Sequence, residues 1–318
     1  MNGKSVVITG GAGFIGSNLA EQLIADNKIT IIDDLSTGSL DNIASIKNKR
    51  NLTFVLGSIL NGDLLEKRFH GIDVVFHEAA IPSVARSVDD PLTTNEVNIQ
   101  GTLNVLIAAK NQKVGKLVFA SSSAVYGDTV ILPNKEHAHP NLQSPYALTK
   151  LTGEYYCQIF NRLYGLSTIC LRYFNVYGPR QNPNSEYAAV IPLFISNILN
   201  NNPPVIYGDG NQTRDFIFIK DVIQANILAA ESEATGVFNI GAGHSTTVNE
   251  LAKVIISILG RDLHPIYKEA RPGDIRNSLA DIDLARSFGY NPRYSLENGL
   301  SETIHPGKSI LEDKNQGL

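Results

Sequence analysis

Short unbroken apolar runs, rich in β-branched residues, recur through the first 173 positions: SVVIT at 5–9, ITIID at 29–33, LTFVLG at 52–57, DVVFHEAA at 73–80, KLVFAS at 116–121 and STICLRY at 167–173. Runs of this length without polar alternation predict strands covered on both faces. Longer segments between them repeat apolar residues at helical spacing, notably 98–112 (NIQGTLNVLIAAKNQ) and 144–165 (SPYALTKLTGEYYCQIFNRLYG). Strands alternating with helices predict an α/β fold on a doubly wound parallel sheet.

Beyond residue 174 the pattern shortens, and prolines and glycines punctuate it at 178–179, 203–204, 208–210 and 271–273. This predicts a nucleotide-binding unit over 1–173 and a smaller α/β substrate unit over 174–318. GVFNIG at 236–241 reads as one more buried strand that can rejoin the sheet. No internal repeat or low-complexity tract interrupts the chain, and EDKNQGL at its end reads as a frayed tail.

Composition narrows the function classes. The 318 residues are 43% hydrophobic and 18% charged, with a net charge of −4. That balance supports a globular core and gives no basic field for nucleic acid. The basic run KNKR at 47–50 reads as a solvated loop. No apolar stretch reaches the ~18 residues of a membrane span and no signal-peptide pattern opens the chain, so a cytoplasmic protein is expected. Cys157 and Cys170 lie in a helical and a strand pattern, as two buried thiols rather than a disulfide.

The first chemistry lies in VVITGGAGFIG. Gly10, Gly13 and Gly16 follow the first strand and open a helix. Glycine there lets backbone approach a pyrophosphate, which binds the helix N-terminal N–H groups. Asp33 stands 20 residues after Gly13, at the end of the second strand, where a carboxylate accepts from the adenosine ribose hydroxyls and repels a 2′-phosphate. NAD is therefore the expected cofactor.

The Gly-x-x-Gly-x-x-Gly spacing, HEAA at 77–80, Asn98 and the pair Tyr146–Lys150 in YALTK resemble the extended short-chain dehydrogenase/reductase family. The resemblance implies cofactor contacts from Phe14, Ile15, Asp34, Thr37, Gly38, Ser58, Ile59, Ala79, Ala80, Asn98 and Tyr173 as well as the residues above. Ser58 stands where many members carry an aspartate, which implies altered adenine contacts. Tyr146 is implied as the base, Lys150 as the cation that lowers its pKa and holds the nicotinamide ribose, and Ser122 as the hydroxyl sharing the substrate proton. Ser123 and Ala124 occupy the positions where dehydrating members carry Asp and Glu, so the resemblance implies epimerisation instead.

From residue 171 the resemblance is to the nucleotide-sugar 4-epimerase group. It implies UDP-sugar contacts from Ser83, Ser123, Asn175, Ala189, Val190, Val205, Tyr207, Arg214, Arg271, Asp274 and Ser278. Guanidinium forks suit a diphosphate because they pair bidentately with its oxygens. A small Ser278 where some members have tyrosine implies room for an N-acetyl group. The expected activity is thus NAD-dependent C4 epimerisation of a UDP-hexose, UDP-N-acetylglucosamine first and UDP-glucose also. UDP-glucuronate is the alternative substrate, and a non-catalytic NAD-sensing scaffold the alternative of another class. The resemblance further implies a homodimer formed through a four-helix bundle of 98–112 and 146–164. His137 and His139 have no accompanying ligand spacing and read as structural, so no metal is expected.

Overall fold

The computed structural model describes residues 1–182, 189–270 and 275–306. Its first half runs β1 (Ser5–Thr9), α1 (Phe14–Leu23), β2 (Lys28–Asp33), β3 (Leu52–Leu56), α2 (Gly62–Arg68), β4 (Val74–His77), α3 (Val84–Asp89), α4 (Pro91–Asn95), α5 (Gly101–Asn111), β5 (Lys116–Ser122), α6 (Pro145–Tyr164) and β6 (Thr168–Tyr173). The second half adds β7 (Asn175–Tyr177), α7 (Val190–Leu199), β8 (Val205–Tyr207), β9 (Thr213–Arg214), β10 (Phe216–Phe218), α8 (Ile219–Glu231), β11 (Gly236–Ile240), β12 (Thr246–Thr247), α9 (Val248–Ile258), β13 (Ile266–Lys268), α10 (Asp283–Arg286) and α11 (Leu296–Ile304).

Seven strands form one parallel sheet in the order β11-β6-β5-β4-β1-β2-β3. Successive side chains of each strand enter opposite layers. Val6 and Ile8 pack with α1 and the C-terminal elements, whereas Val7 packs on the other face with Leu65, Val105 and Cys157. Burial on both faces explains why the strands read as continuous apolar runs. The strand order reverses between β1 and β4, so a crevice opens beyond their C-terminal ends, the usual ligand position in such sheets.

β4 ends at His77, three residues short of the predicted run, because the backbone of Glu78 and Ala79 turns away to cross the glycine turn. The helix expected over 98–112 starts as a π-helical turn, Glu96–Gln100, before α5. β11 joins β6 in parallel register, so the chain beyond 173 completes the sheet as well as forming the smaller layer. Among the described residues no helix is long and apolar enough to cross a membrane.

Candidate active site

The glycine turn is fixed by sterics that differ from position to position. Gly10 has φ +71°, and an added Cβ there would lie 2.7 Å from Ala79 N. A Cβ on Gly16 would lie 2.3 Å from the Gly10 carbonyl, and one on Gly11 2.6 Å from Ile31. Gly11 escaped the motif reading, since only packing against β2 constrains it. Near a Gly13 Cβ only the Gly10 carbonyl intrudes, at 3.1 Å, so room for a pyrophosphate accounts for glycine there better than crowding does. Gly13 caps α1 without a side-chain bond. The N–H groups of Phe14, Ile15 and Gly16 therefore lack intrahelical partners.

Asp33 is buried at the end of β2, where Ala12 N (2.9 Å) and Leu35 N (2.8 Å) each donate to one of its carboxylate oxygens. Burial raises its pKa despite these bonds. Each oxygen keeps a second lone pair for a ribose hydroxyl. Around it, Asp34 accepts from Ser36 N, Thr37 is exposed, and a Cβ on Gly38 would sit 2.9 Å from Asp33 Oδ1. An acid paired with an N–H-lined glycine turn fits NAD.

Two implied cofactor residues have their side chains engaged within the protein. The Ile59 side chain is buried against Gly101, and its carbonyl accepts from Asn104 Nδ2, which leaves its side chain in the core. Asn98, also buried, uses its amide within the protein. It accepts from Ile81 N (2.8 Å) and donates to Ile81 O (3.2 Å) and Thr149 Oγ1 (3.1 Å), tying the loop after β4 to α6. Ser58 turns its hydroxyl to Leu60 N.

The three consecutive serines separate at the end of β5. Ser121 points into the core and donates to Glu154. Ser122 caps the turn Ser123–Tyr126 by accepting from Ala124 N (3.1 Å), and its side chain lies near enough to Tyr146 to lower the phenol's pKa. Ser123 is partly exposed in the same turn. Tyr146 and Lys150 lie one turn apart on α6, which is capped by Ser144 and started by Pro145. Lys150 Nζ donates to the Ala120 carbonyl at 2.7 Å and stands 5.8 Å from the Tyr146 ring centroid.

The electrostatics of this cluster depart from the expectation that Lys150 lowers the Tyr146 pKa. Burial pushes Tyr146 up to about 12, with Ser122 lowering it and the Glu78 charge raising it. Burial brings Lys150 down to about 8, against the pull of Glu78 and Glu154. Within the protein alone, loss of solvent is the largest influence on both groups. Lys150 is a cation below about pH 8, held by a backbone carbonyl beside the tyrosine.

Sequence reading missed several supports of this cluster. Ser87 accepts from Tyr146 N at 3.0 Å and anchors the start of α6, yet a lone serine in a short helix gives no signal. Glu154 was detectable, as an acid one turn beyond Lys150 on the buried face. Glu78, Tyr173 and Asn226 form a further polar group behind it.

Asn175, Ala189, Val190, Val205, Tyr207 and Arg214 all line one cavity of about 340 Å³ in the second layer. Gln212, also lining it, donates through Nε2 to the Tyr207 carbonyl (2.8 Å), and among the described residues its buried Oε1 and that of Gln181 have no partner. Two such acceptors suit a ligand with N–H or O–H donors. Ser83 caps α3 through Arg86 N, outside this cavity. Ser278 is 8% exposed and bonds through its N–H to the Thr213 carbonyl, beside Arg214 but not lining the cavity. Arg271 and Asp274 lie outside the described residues.

The sheet order, the glycine turn and the acid closing β2 define a doubly wound dinucleotide-binding protein. The chain belongs to the NAD dependent epimerase/dehydratase family, whose model matches residues 6–241, and its cofactor is NAD. It is 48% identical to UDP-N-acetylglucosamine 4-epimerase from Methanobrevibacter ruminantium, solved with UDP-N-acetylmuramic acid (TM-score 0.93, covering 96% of this chain and 98% of that one). Identity is 40% to UDP-glucose 4-epimerase from Thermotoga maritima with UDP-glucose (TM-score 0.90, coverage 94% and 97%). It is 34% to UDP-glucose 4-epimerase from Thermus thermophilus with NAD (TM-score 0.86, coverage 94% and 97%).

Proposed function

We propose that this chain interconverts the C4 epimers of UDP-N-acetylhexosamines, with UDP-glucose as a second substrate. The observation that carries the reading is the grouping of Ser122, at the C-terminal end of β5, with Tyr146 and the Lys150 ammonium, at the same edge of the parallel sheet as the glycine turn that follows β1. Bound NAD supplies a hydride acceptor at sugar C4 and a positive charge that favours the Tyr146 phenolate. Tyr146 takes the C4 hydroxyl proton and later returns it to the opposite face, while Ser122 donates to and accepts from the same oxygen. Lys150 would hold the nicotinamide ribose of bound NAD and keeps a cation beside Tyr146. The cavity lined by Asn175, Tyr207 and Arg214 retains the UDP end while the sugar turns over. Ser123 and Ala124 offer no acid–base pair for removing water, which leaves reduction as the return path.

The N-acetyl preference rests on two supports: the 48% identity to a UDP-N-acetylglucosamine 4-epimerase and the small Ser278 beside Arg214. The test is incubation of the purified protein with UDP-N-acetylglucosamine and with UDP-glucose, without added NAD, resolving C4 epimers chromatographically. Conversion of both is expected; conversion of neither overturns the reading. Tyr146→Phe should lower kcat by about 10²–10⁴-fold, the usual worth of a positioned acid–base group, with NAD still bound. Ser278→Tyr should remove the N-acetyl substrate selectively, with the melting temperature as a folding control. Equal loss on both sugars refutes the pocket argument.

A further inference from the structure

Behind the catalytic cluster, Tyr173 has more hydrogen-bond partners than its single proton can serve. Its hydroxyl lies 2.9 Å from Glu78 Oε1 and 3.0 Å from Asn226 Oδ1. The Asn226 amide cannot be turned round, because its Nδ2 donates to the Val222 carbonyl at 2.9 Å. Oδ1 is thus an acceptor. A phenol has one hydrogen, and an ionised carboxylate has none. Asn226 is wholly buried and Tyr173 nearly so, which keeps solvent from between them, while Glu78 at the other end is half-buried. The geometry closes if Tyr173 donates to Asn226 and a protonated Glu78 donates to Tyr173.

We infer that Glu78 is held as a carboxylic acid by Tyr173 and gives up this proton when a cationic nicotinamide enters the site, so that its charge tracks that of the bound cofactor. The nicotinamide's position follows from the reading proposed above. The titratable and charged groups facing Glu78 are Lys150 and Tyr146 from α6 and Tyr173 from β6; α8 contributes only the neutral Asn226. Burial is the main force raising the Glu78 pKa, to about 7; a Tyr173 proton aimed at Glu78 would oppose it, as the Lys150 charge does, but Asn226 Oδ1 claims that proton. A second cation would extend the effect of Lys150 and draw the proton off to solvent. The resulting carboxylate stabilises the oxidised cofactor relative to the reduced one and disfavours an ionised Tyr146. Glu78 is therefore a positioning residue that sets the site's charge.

Two measurements test this. In protein freed of cofactor, carbon-13 NMR of labelled glutamate should show one carboxyl titrating near pH 7, absent from Glu78→Gln; no such titration overturns the inference. Calorimetry in two buffers of different ionisation enthalpy should show NAD⁺ binding release about half a proton per site at pH 7, where a group of pKa about 7 is half protonated. NADH binding and Glu78→Gln should release close to none. Equal release by wild type and Glu78→Gln overturns the coupling. Glu78→Gln can donate to Tyr173 through its own amide, so it preserves the hydrogen bonding and should fold. A protein that binds neither NAD⁺ nor NADH refutes the proposed function instead, and the NMR titration still decides the Glu78 proton.

Discussion

His77 spends both ring nitrogens inside the protein, one 2.8 Å from Thr9 Oγ1 and the other 2.9 Å from Thr102 Oγ1. Burial first, and the Lys150 charge second, push its pKa down to about 3. Between that value and the ordinary 6.5, the unfolded chain binds a proton that the folded one refuses. Stability at this residue therefore falls as pH drops below about 6.5, by up to about 1.4 kcal/mol per pH unit. In His77→Asn the variant loses this slope, so its stability should approach that of wild type on acidification. Urea unfolding at pH 7, 6 and 5 measures it, and a gap that does not change with pH contradicts the assignment. The adjacent Glu78 has the opposite sign: its raised pKa favours the folded state at low pH, and that contribution fades as pH rises through about 7.

Among elements, α6 carries the most. One face bears Tyr146, Lys150 and Glu154, and Glu154 grips Arg172 on β6 by two bonds of 2.8 and 2.7 Å while accepting from Ser121 on β5. Arg172 also donates to Tyr126 Oη and the Glu136 carbonyl, tying in the loop ahead of α6. Both charges are nearly solvent-free, and the carboxylate holds the Arg172 proton more firmly than usual even against burial. Removing one partner leaves a buried charge uncompensated. Glu154→Gln should cost about 3–5 kcal/mol in chemical denaturation; a cost under about 1 kcal/mol would mean that solvent reaches the pair. The sheet strands were legible because burial on two faces writes itself as apolar runs, and Tyr146 and Lys150 because an i, i+4 pair sits in a recognisable helix start. Ser87, Asn98 and the Glu78–Tyr173–Asn226 group were not, or not in their observed roles. Their parts depend on contacts between segments from 17 to 95 positions apart, which no local spacing records.

For the whole molecule, the outer face of α6 presents Leu148, Tyr155, Ile159 and Leu163, spaced by seven, four and four residues, with Leu163 63% exposed. That spacing places all four on one stripe of the helix, opposite the buried face of Tyr146, Lys150 and Glu154. Ile107 on α5 and Leu92 on α4, the latter 83% exposed, extend the apolar surface, since α6 packs against both helices. A contiguous apolar face on a monomer marks an interaction surface. The expected occupant is the same face of a second copy, because two antiparallel pairs of α5 and α6 make a four-helix bundle with each stripe filling the other. Tyr146 and Lys150 lie on the reverse of the same helix, so pairing would also hold their turn against β5. Leu163→Arg, alone and with Ile159→Lys, places charge on the stripe without touching the buried face. Sedimentation equilibrium should show wild type at twice the chain mass and the double variant at the chain mass, with circular dichroism unchanged. The melting temperature should then fall and depend on protein concentration only in the wild type. A double variant that still sediments as a dimer would place the interface elsewhere.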